Sequence, residues 1–352
     1  MTALAESLRT RAMREFGFTY FLAAALALAA GVLFVLAMGG NVWVAFQTVL
    51  RSSVGTWSGF AQTLNKFCPL LLGTLSVAVA MRGGHFNIGV DGQIYAGAIA
   101  ATGLAFTLQG WNLPWPLFVT LAMLGGILGG ALWGLVPGLL RVRYQANEIF
   151  ITVMLNFVSF SLVDYLANGP WNDPLAGEAI TRPIPPAAKL PALMPKSGAH
   201  MGVFIALAAA VGVYALMART VLGYEIRAVG TNPTAARFGG INVARITLII
   251  MPICGALAGL AGAIEVSGLH QSLMLGLIGT EGAPTYGVMA ILVAVIGRNS
   301  PIGVTLAAFV FAVLLVGSDS LQRSIGLPGS AVFVFQAIIV LTVIFVEARR
   351  KL

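Results

Sequence analysis

The polar residues of this chain are few enough that each one is informative. Asn87, Asp91, Gln93, Glu148, Asn156, Asp164 and Glu265 fall within or beside long apolar runs. A charge at the centre of a membrane helix costs about 2.5–3.5 kcal/mol on insertion scales, so such groups face a cavity or a partner rather than lipid. Carboxylates and amides can do three things there. They relay protons or ions, they meet the hydroxyls of a polar solute, or they hydrogen-bond one helix to another. Other chemistry lacks its residues. There is no GxxxxGK[ST] phosphate loop. His85, His200 and His270 lie near segment ends, where solvated boundary residues are expected, and no Ser/His/Asp or Cys/His set can be assembled. Cys68 and Cys254 sit inside apolar runs and read as small buried hydrophobes, with no metal-ligand spacing. The expectation is a protein that is not an enzyme and holds no metal and no cofactor of its own.

The elements that must position these groups follow from composition. Of 352 residues, 58% are apolar and only 9% charged, where a soluble domain carries about 25% charged residues. Mean hydropathy is +0.91. A soluble enzyme, a disordered chain and a secreted disulfide scaffold are excluded. What remains is an all-α polytopic membrane protein, a single transmembrane domain over 1–352, with the lipid bilayer as its first partner. The net charge of +8 is expected to sit on loops of one membrane face, so no nucleic-acid partner is implied.

Ten apolar segments can be marked: Tyr20–Met38, Phe67–Met81, Ile88–Leu108, Trp115–Leu140, Asn147–Leu166, Met201–Met217, Ile246–Val266, Pro284–Ile296, Ile302–Val316 and Ala331–Val346. Several are short or broken by Gly and Pro, which predicts half-helices buried by their neighbours. The first is too long for a secretion signal and is read as a retained helix. With residues 1–19 in the cytoplasm, fourteen of the 20 Lys and Arg fall on the cytoplasmic side, among them Arg82, Arg141, Arg143, Arg237 and Arg298. Arg51, Lys66, Arg182, Lys189, Lys196 and Arg323 fall outside. This asymmetry predicts an even number of spans with both termini inside. Gly clusters at Gly125–Gly134 and Gly255–Gly262 suit close helix packing.

Three stretches lie between spans. Asn41–Asn65, with Trp43 and Trp57, suits an interfacial helix. Gly169–His200 is a Pro-rich outer loop, stiffened rather than floppy. Arg219–Arg245 is the most informative. Asn232 or Thr231 can cap a helix, Pro233 suits its first position, and Gly239-Gly240 ends it. A short helix stopped at both ends serves either to press on a cytoplasmic partner or to lie on anionic headgroups, with Arg227 and Arg237 facing lipid.

The run RAVGTNPTAARFGGINVAR strongly resembles the cytoplasmic coupling loop of ATP-binding-cassette importer permeases, in the branch handling nucleosides, simple sugars, riboflavin and branched-chain amino acids. GHFNIGVDGQ (Gly84–Gln93) resembles that branch's G-x-F-N-I-G-x-E-G-Q, with Asp91 for the commoner Glu. NEIFITVMLNF (Asn147–Phe157), followed by Gly169-Pro170, resembles its N-E-x-x-x-T-x-M-L-N and points to nucleoside-type permeases. GALAGLAG (Gly255–Gly262) and GRNSPIG (Gly297–Gly303) match further motifs. One departure is that the usual G-Y-G-F-D-G reads EGAPTYG here, with Thr285 for the acid. The resemblance implies a multi-pass permease of the bacterial inner membrane. Its partners are cytoplasmic ATP-binding subunits that hydrolyse the ATP, a second permease subunit and an extracytoplasmic solute-binding protein. It implies an ATPase-coupling role for Arg227, Gly230, Asn232, Pro233, Ala235, Ala236, Arg237 and Gly240. A translocation-pathway role is expected for Asn87, Asp91, Gln93, Asn147, Glu148 and Asn156, because amides can meet ribose hydroxyls and base edges. For these the competing reading is helix-to-helix hydrogen bonding, and for Glu148 pairing with Arg141 or Arg143. The alternative function is a secondary transporter or channel driven by an ion gradient through Asp91, Glu148 or Asp164.

Overall fold

The computed structural model describes residues 41–193, 198–279 and 284–325, with isolated positions 32, 36 and 39. The stretch 1–19, the segment Ala331–Val346 and nearly all of Tyr20–Met38 lie outside the described residues. Among the described residues the structure is helical, with only the isolated bridges Asn172↔Thr181, Ile180↔Met274 and Ala192↔His200. The helices are α1 (Val42–Ser53), α2 (Trp57–Arg82), α3 (Val90–Leu108), α4 (Trp115–Tyr144), α5 (Glu148–Asn168), α6 (Gly202–Arg219), α7 (Val221–Thr231), α8 (Pro233–Phe238), α9 (Val243–Ile264), α10 (Tyr286–Ile296) and α11 (Pro301–Ile325). A single π-turn, Glu265–His270, extends α9.

Among the described residues, six helices are long and apolar enough to cross a membrane: α2, α4, α5, α6, α9 with its π-turn, and Pro301–Leu321 of α11. Each of the eight interior segments expected from the sequence is a helix, but α10 has only 11 residues, about 16 Å of rise. The expected boundary before α2 needs correction. That helix begins at Trp57, not Phe67, because Thr56 accepts from the Gly59 N–H at 3.0 Å and caps it. Asn65 and Lys66 lower the local hydropathy without interrupting the helix, so the expected interfacial stretch is α1 plus the first turns of α2.

The chain divides into two compact units, residues 56–313 and residues 1–55 with 314–352. In the smaller one, Ala45 and Leu321 are buried together, with Val42 and Val49 packed on them. In the larger, α9 packs on both α3 and α4 through its glycines. A Cβ on Gly130 of α4 would lie 2.6 Å from the Cα of Gly259, and one on Gly134 would lie 3.1 Å from the Cα of Gly255. On the other flank, a Cβ on Gly262 would lie 2.9 Å from the Ala98 nitrogen of α3. Where lipid is as apolar as the side chains, this backbone-to-backbone approach is what holds helices together. Gly130→Leu is therefore expected to cost several kcal/mol, about 3 or more by overpacking. The check is monodispersity and melting of the purified variant, set beside a Leu in the exposed face of α4 at Thr120.

The Pro-rich loop is tied down. Ile184 N donates to Gln271 O at 2.8 Å and Leu190 N to Ser267 O at 2.8 Å, while Trp115 Nε1 donates to Lys189 O at 3.0 Å. His200 closes the loop at 1% exposure. Its Nδ1 accepts from Gly202 N at 3.2 Å. Burial holds its imidazole at about 4, down from 6.5. The unfolded chain therefore takes up this proton first on acidification. The stabilisation is complete above about pH 6.5 and is lost as pH falls toward 4, up to about 3 kcal/mol. Melting of the purified protein should drop between pH 7 and pH 5. His200→Asn, which keeps an acceptor for Gly202 N, should flatten that dependence.

Candidate functional site: a capped surface helix and a junction of helix ends

Two features concentrate the residues singled out above. The first is the α7–α8 corner. Thr220 caps α7 by accepting from Gly223 N at 3.0 Å. Asn232 ends α7 and begins α8, its Oδ1 accepting from Thr234 N and Ala235 N, both at 3.0 Å. Pro233 occupies the first helical position, where a missing N–H is harmless. Gly240 follows the helix at φ +84°, a backbone that L side chains avoid. The corner is clamped to the bundle. A Cβ on Gly230 would meet the Arg82 carbonyl carbon at 2.8 Å, so the α7 end rests on the α2 end. Arg227 donates to the Met217 carbonyl and ties α7 to α6. On α8, Ala236 is buried, whereas Asn232, Pro233, Ala235, Arg237 and Gly240 are exposed. Phe238 is 90% exposed.

The second feature is buried. A Cβ on Gly73 of α2 would touch both Val90 Cγ1 (3.3 Å) and Ala290 Cβ (3.4 Å). Gly73 is about 13 Å of helix away from Arg82, where α2 ends. The backbone 83–89 thus climbs back into the bundle before α3 starts, and α10 starts close by. Non-helical backbone at that depth requires internal partners. Asn87 Oδ1 accepts from Gly89 N at 3.1 Å, and its Nδ2 donates to Gln93 Oε1 at 2.9 Å. Asn156 of α5 spans the gap, accepting from Gly92 N at 2.8 Å and donating to Ile88 O at 3.0 Å. Asp91 reaches the start of α10, where its carboxylate accepts from Thr285 Oγ1 at 2.6 Å and Gly287 N at 2.8 Å. An anion between two helix N-termini is favoured by both helix dipoles. The two departures from the family pattern, Asp91 and Thr285, are thus in direct contact. An acid at position 285 would put two carboxylates against each other, and the shorter Asp with a hydroxyl donor removes that repulsion.

Nearer the α8 end, Glu148 pairs with Arg141 at 3.2 Å and lies 3.7 Å from His85. His85 in turn shares a 3.0 Å hydrogen bond with Thr247 of α9. Asn147 is exposed and caps α5, accepting from Ile149 N at 2.9 Å. The structure therefore joins Asn87, Gln93, Asn156 and Asp91 in one buried set, places Glu148 in a separate ionic cluster, and leaves Asn147 at a helix end. Among the described residues no group of three or more His, Cys, Asp or Glu could hold a metal ion. Sequence reasoning missed α7 as a helix and Phe238 as a surface residue. The Thr220 cap signals the former, whereas the exposure of a lone Phe has no local signature.

Known proteins were compared with the whole chain. A glucose ABC transporter permease protein of Haloferax volcanii is 33% identical over 91% of this chain and 85% of its own length. A guanosine ABC transporter permease protein of Bacillus subtilis is 32% identical over 90% of each chain. A nucleoside ABC transporter permease protein of Lactococcus lactis is 32% identical over 88% of this chain and 85% of its own. No solved structure matches. Residues 59–346 match the family described as branched-chain amino acid transport system, permease component. With six helices among the described residues able to cross a membrane, and residues 59–346 matched, this multi-pass membrane chain belongs to that permease family.

Proposed function

We propose that this chain is the membrane subunit of an ATP-driven importer in the inner (plasma) membrane, translocating nucleosides or a related purine- or ribose-containing solute. The observation that carries the reading is α8: a helix capped at both ends, clamped through Gly230 to the end of α2, and presenting Phe238 and Arg237 outward. A loop that only linked spans would not need both caps. In this reading the α8 face is cytoplasmic and a separate ATP-binding subunit docks on it. ATP-driven closure moves α8 as a rigid body and tilts the bundle. The ATP is bound and hydrolysed by that partner, so this chain needs no cofactor. Arg227, Gly230 and Ala236 act by holding the corner, and Asn232, Pro233, Ala235, Arg237 and Gly240 by shaping the docking face.

The loop 169–200, fixed to the opposite end, receives the solute-binding protein, and a second permease subunit completes the pathway. Asn87, Asp91, Gln93, Asn147, Glu148 and Asn156 belong to the pathway as the frame of its wall. Their polar atoms hold the broken helices, while exposed neighbours such as Phe86 and Phe157 present surface toward the solute. The solute class is supported by the relatives, which are named for guanosine, nucleosides and glucose. The test is uptake by vesicles holding this chain with its ATP-binding, permease and solute-binding partners. ATP inside should drive guanosine accumulation, and unlabelled nucleosides should compete. Accumulation of branched-chain amino acids but not of nucleosides or sugars would overturn the solute assignment.

A further inference from the structure

Helix α5 has two unlike faces. Thr152, Asn156, Ser159, Val163 and Ala167 turn into the bundle. Phe157, Ser161, Asp164 and Asn168 follow one another on the opposite, exposed face at helical spacing. This face grades from aromatic near the middle to polar at the end away from α8. At that polar end a cleft of about 580 Å³ opens, lined by Phe160, Ser161, Asp164, Tyr165, Asn168 and Leu275 among others. It is the size of a small-ligand site. Its walls are fixed. Phe160 packs edge-on against Tyr95 (5.5 Å) and Phe157 (6.2 Å), and the Tyr95 hydroxyl donates to the Leu275 carbonyl. Asp164 accepts from Asn168 Nδ2 at 2.9 Å. Among the described residues no cation pairs with Asp164. Among the described residues, the second carboxylate oxygen of Asp164 and the Asn168 amide oxygen accept no hydrogen bond. Two adjacent acceptors beside aromatic surface suit two adjacent hydroxyls attached to a ring.

We propose that this cleft is a solute-binding site of the permease itself, in which Asp164 and Asn168 accept the hydroxyls of a vicinal diol while Phe160 and Tyr165 cover the ring or base attached to it. The proposal rests on the importer reading and deepens it. It assigns the first contact of a solute released at the end that carries the Pro-rich loop. It also accounts for a polar, acid-bearing stripe on a helix that the other described residues leave largely uncovered. Ribose and glucose share the diol, and the arms below separate them.

The test uses the assembled importer carrying Ser161→Cys. The native cysteines, Cys68 and Cys254, are both fully buried, so a water-soluble thiol reagent reads the cleft alone. Saturating guanosine should slow labelling about ten-fold, and 2′,3′-dideoxyguanosine should not, because a hydrogen bond to a charged acceptor is worth about that factor. Adding Asp164→Ala should remove protection without slowing solute-free labelling, which shows the cleft still open to the reagent. Uptake of guanosine and of glucose is measured in the same vesicles. Protection by glucose with no uptake or protection by guanosine would keep the diol site and discard the nucleoside assignment. Guanosine uptake without protection, equal protection by the dideoxy compound, or a cysteine that never labels would overturn the proposal while leaving the importer reading standing.

Discussion

Phe238→Asp should abolish transport-coupled ATP hydrolysis while the permease still inserts and melts normally. Phe238 is 90% exposed at the end of a short helix whose neighbour Ala236 is buried. Its ring contributes little to this chain's own core. A large exposed aromatic on a rigid, fully capped support is the type of residue that dominates an interface energetically. Loss of such an anchor costs about 2–4 kcal/mol, or about 30- to 900-fold in docking affinity. A buried carboxylate adds desolvation to that cost. The measurement is co-purification of the ATP-binding subunit with the variant, together with stimulation of ATP hydrolysis by the loaded solute-binding protein. Arg237→Glu should act in the same direction but more weakly, as expected for a solvated charge. Wild-type stimulation in the Phe238→Asp importer would remove α8 from the coupling role.

Asn156→Leu should lower stability and uptake together. The Asn156 amide makes two bonds to backbone of another segment at that depth, to Gly92 N and Ile88 O. A leucine there leaves a buried donor and a buried acceptor unsatisfied, about 1–3 kcal/mol each. Asn156→Asp retains the acceptor for Gly92 N but loses the donor to Ile88 O, and an intermediate melting point is expected. If Asn156 contacted only the solute, Asn156→Leu would melt like the wild type while uptake fell. That pattern would make it a lining residue rather than part of the frame.

The sequence reveals the fold where a signal is local. The caps at Asn232 and the glycines after Phe238 are side-chain and backbone chemistry within a few residues of the helix they bound, so α8 is legible to the residue. The glycine clusters also announce close packing, because Gly130, Gly134, Gly255 and Gly259 recur at helical spacing. Which cluster meets which is tertiary information, supplied only by the crossing of α4 and α9. The start of α2 was hidden because Asn65 and Lys66 dilute an apolar window that the helix nevertheless traverses. The junction was half legible. Its amides and carboxylate stand out as expensive residues in apolar runs, but their partners lie far away in the chain, as with Asp91 and Thr285. Both positions stand out in the sequence, and the contact between them does not. The Asp164 cleft was illegible for the same reason, since Leu275 lines it from far along the chain and Tyr95 only holds Phe160 and Leu275 in place.

The central claim is that α8 receives work from a separate ATP-hydrolysing protein. The most direct measurement is solute accumulation in sealed vesicles that hold either this chain alone or the chain with its partner subunits. In each case the drive is either an imposed proton or sodium gradient or ATP on the α8 side. Accumulation is expected only in the complete assembly and only with ATP. Concentrative uptake by this chain alone on an ion gradient would contradict it.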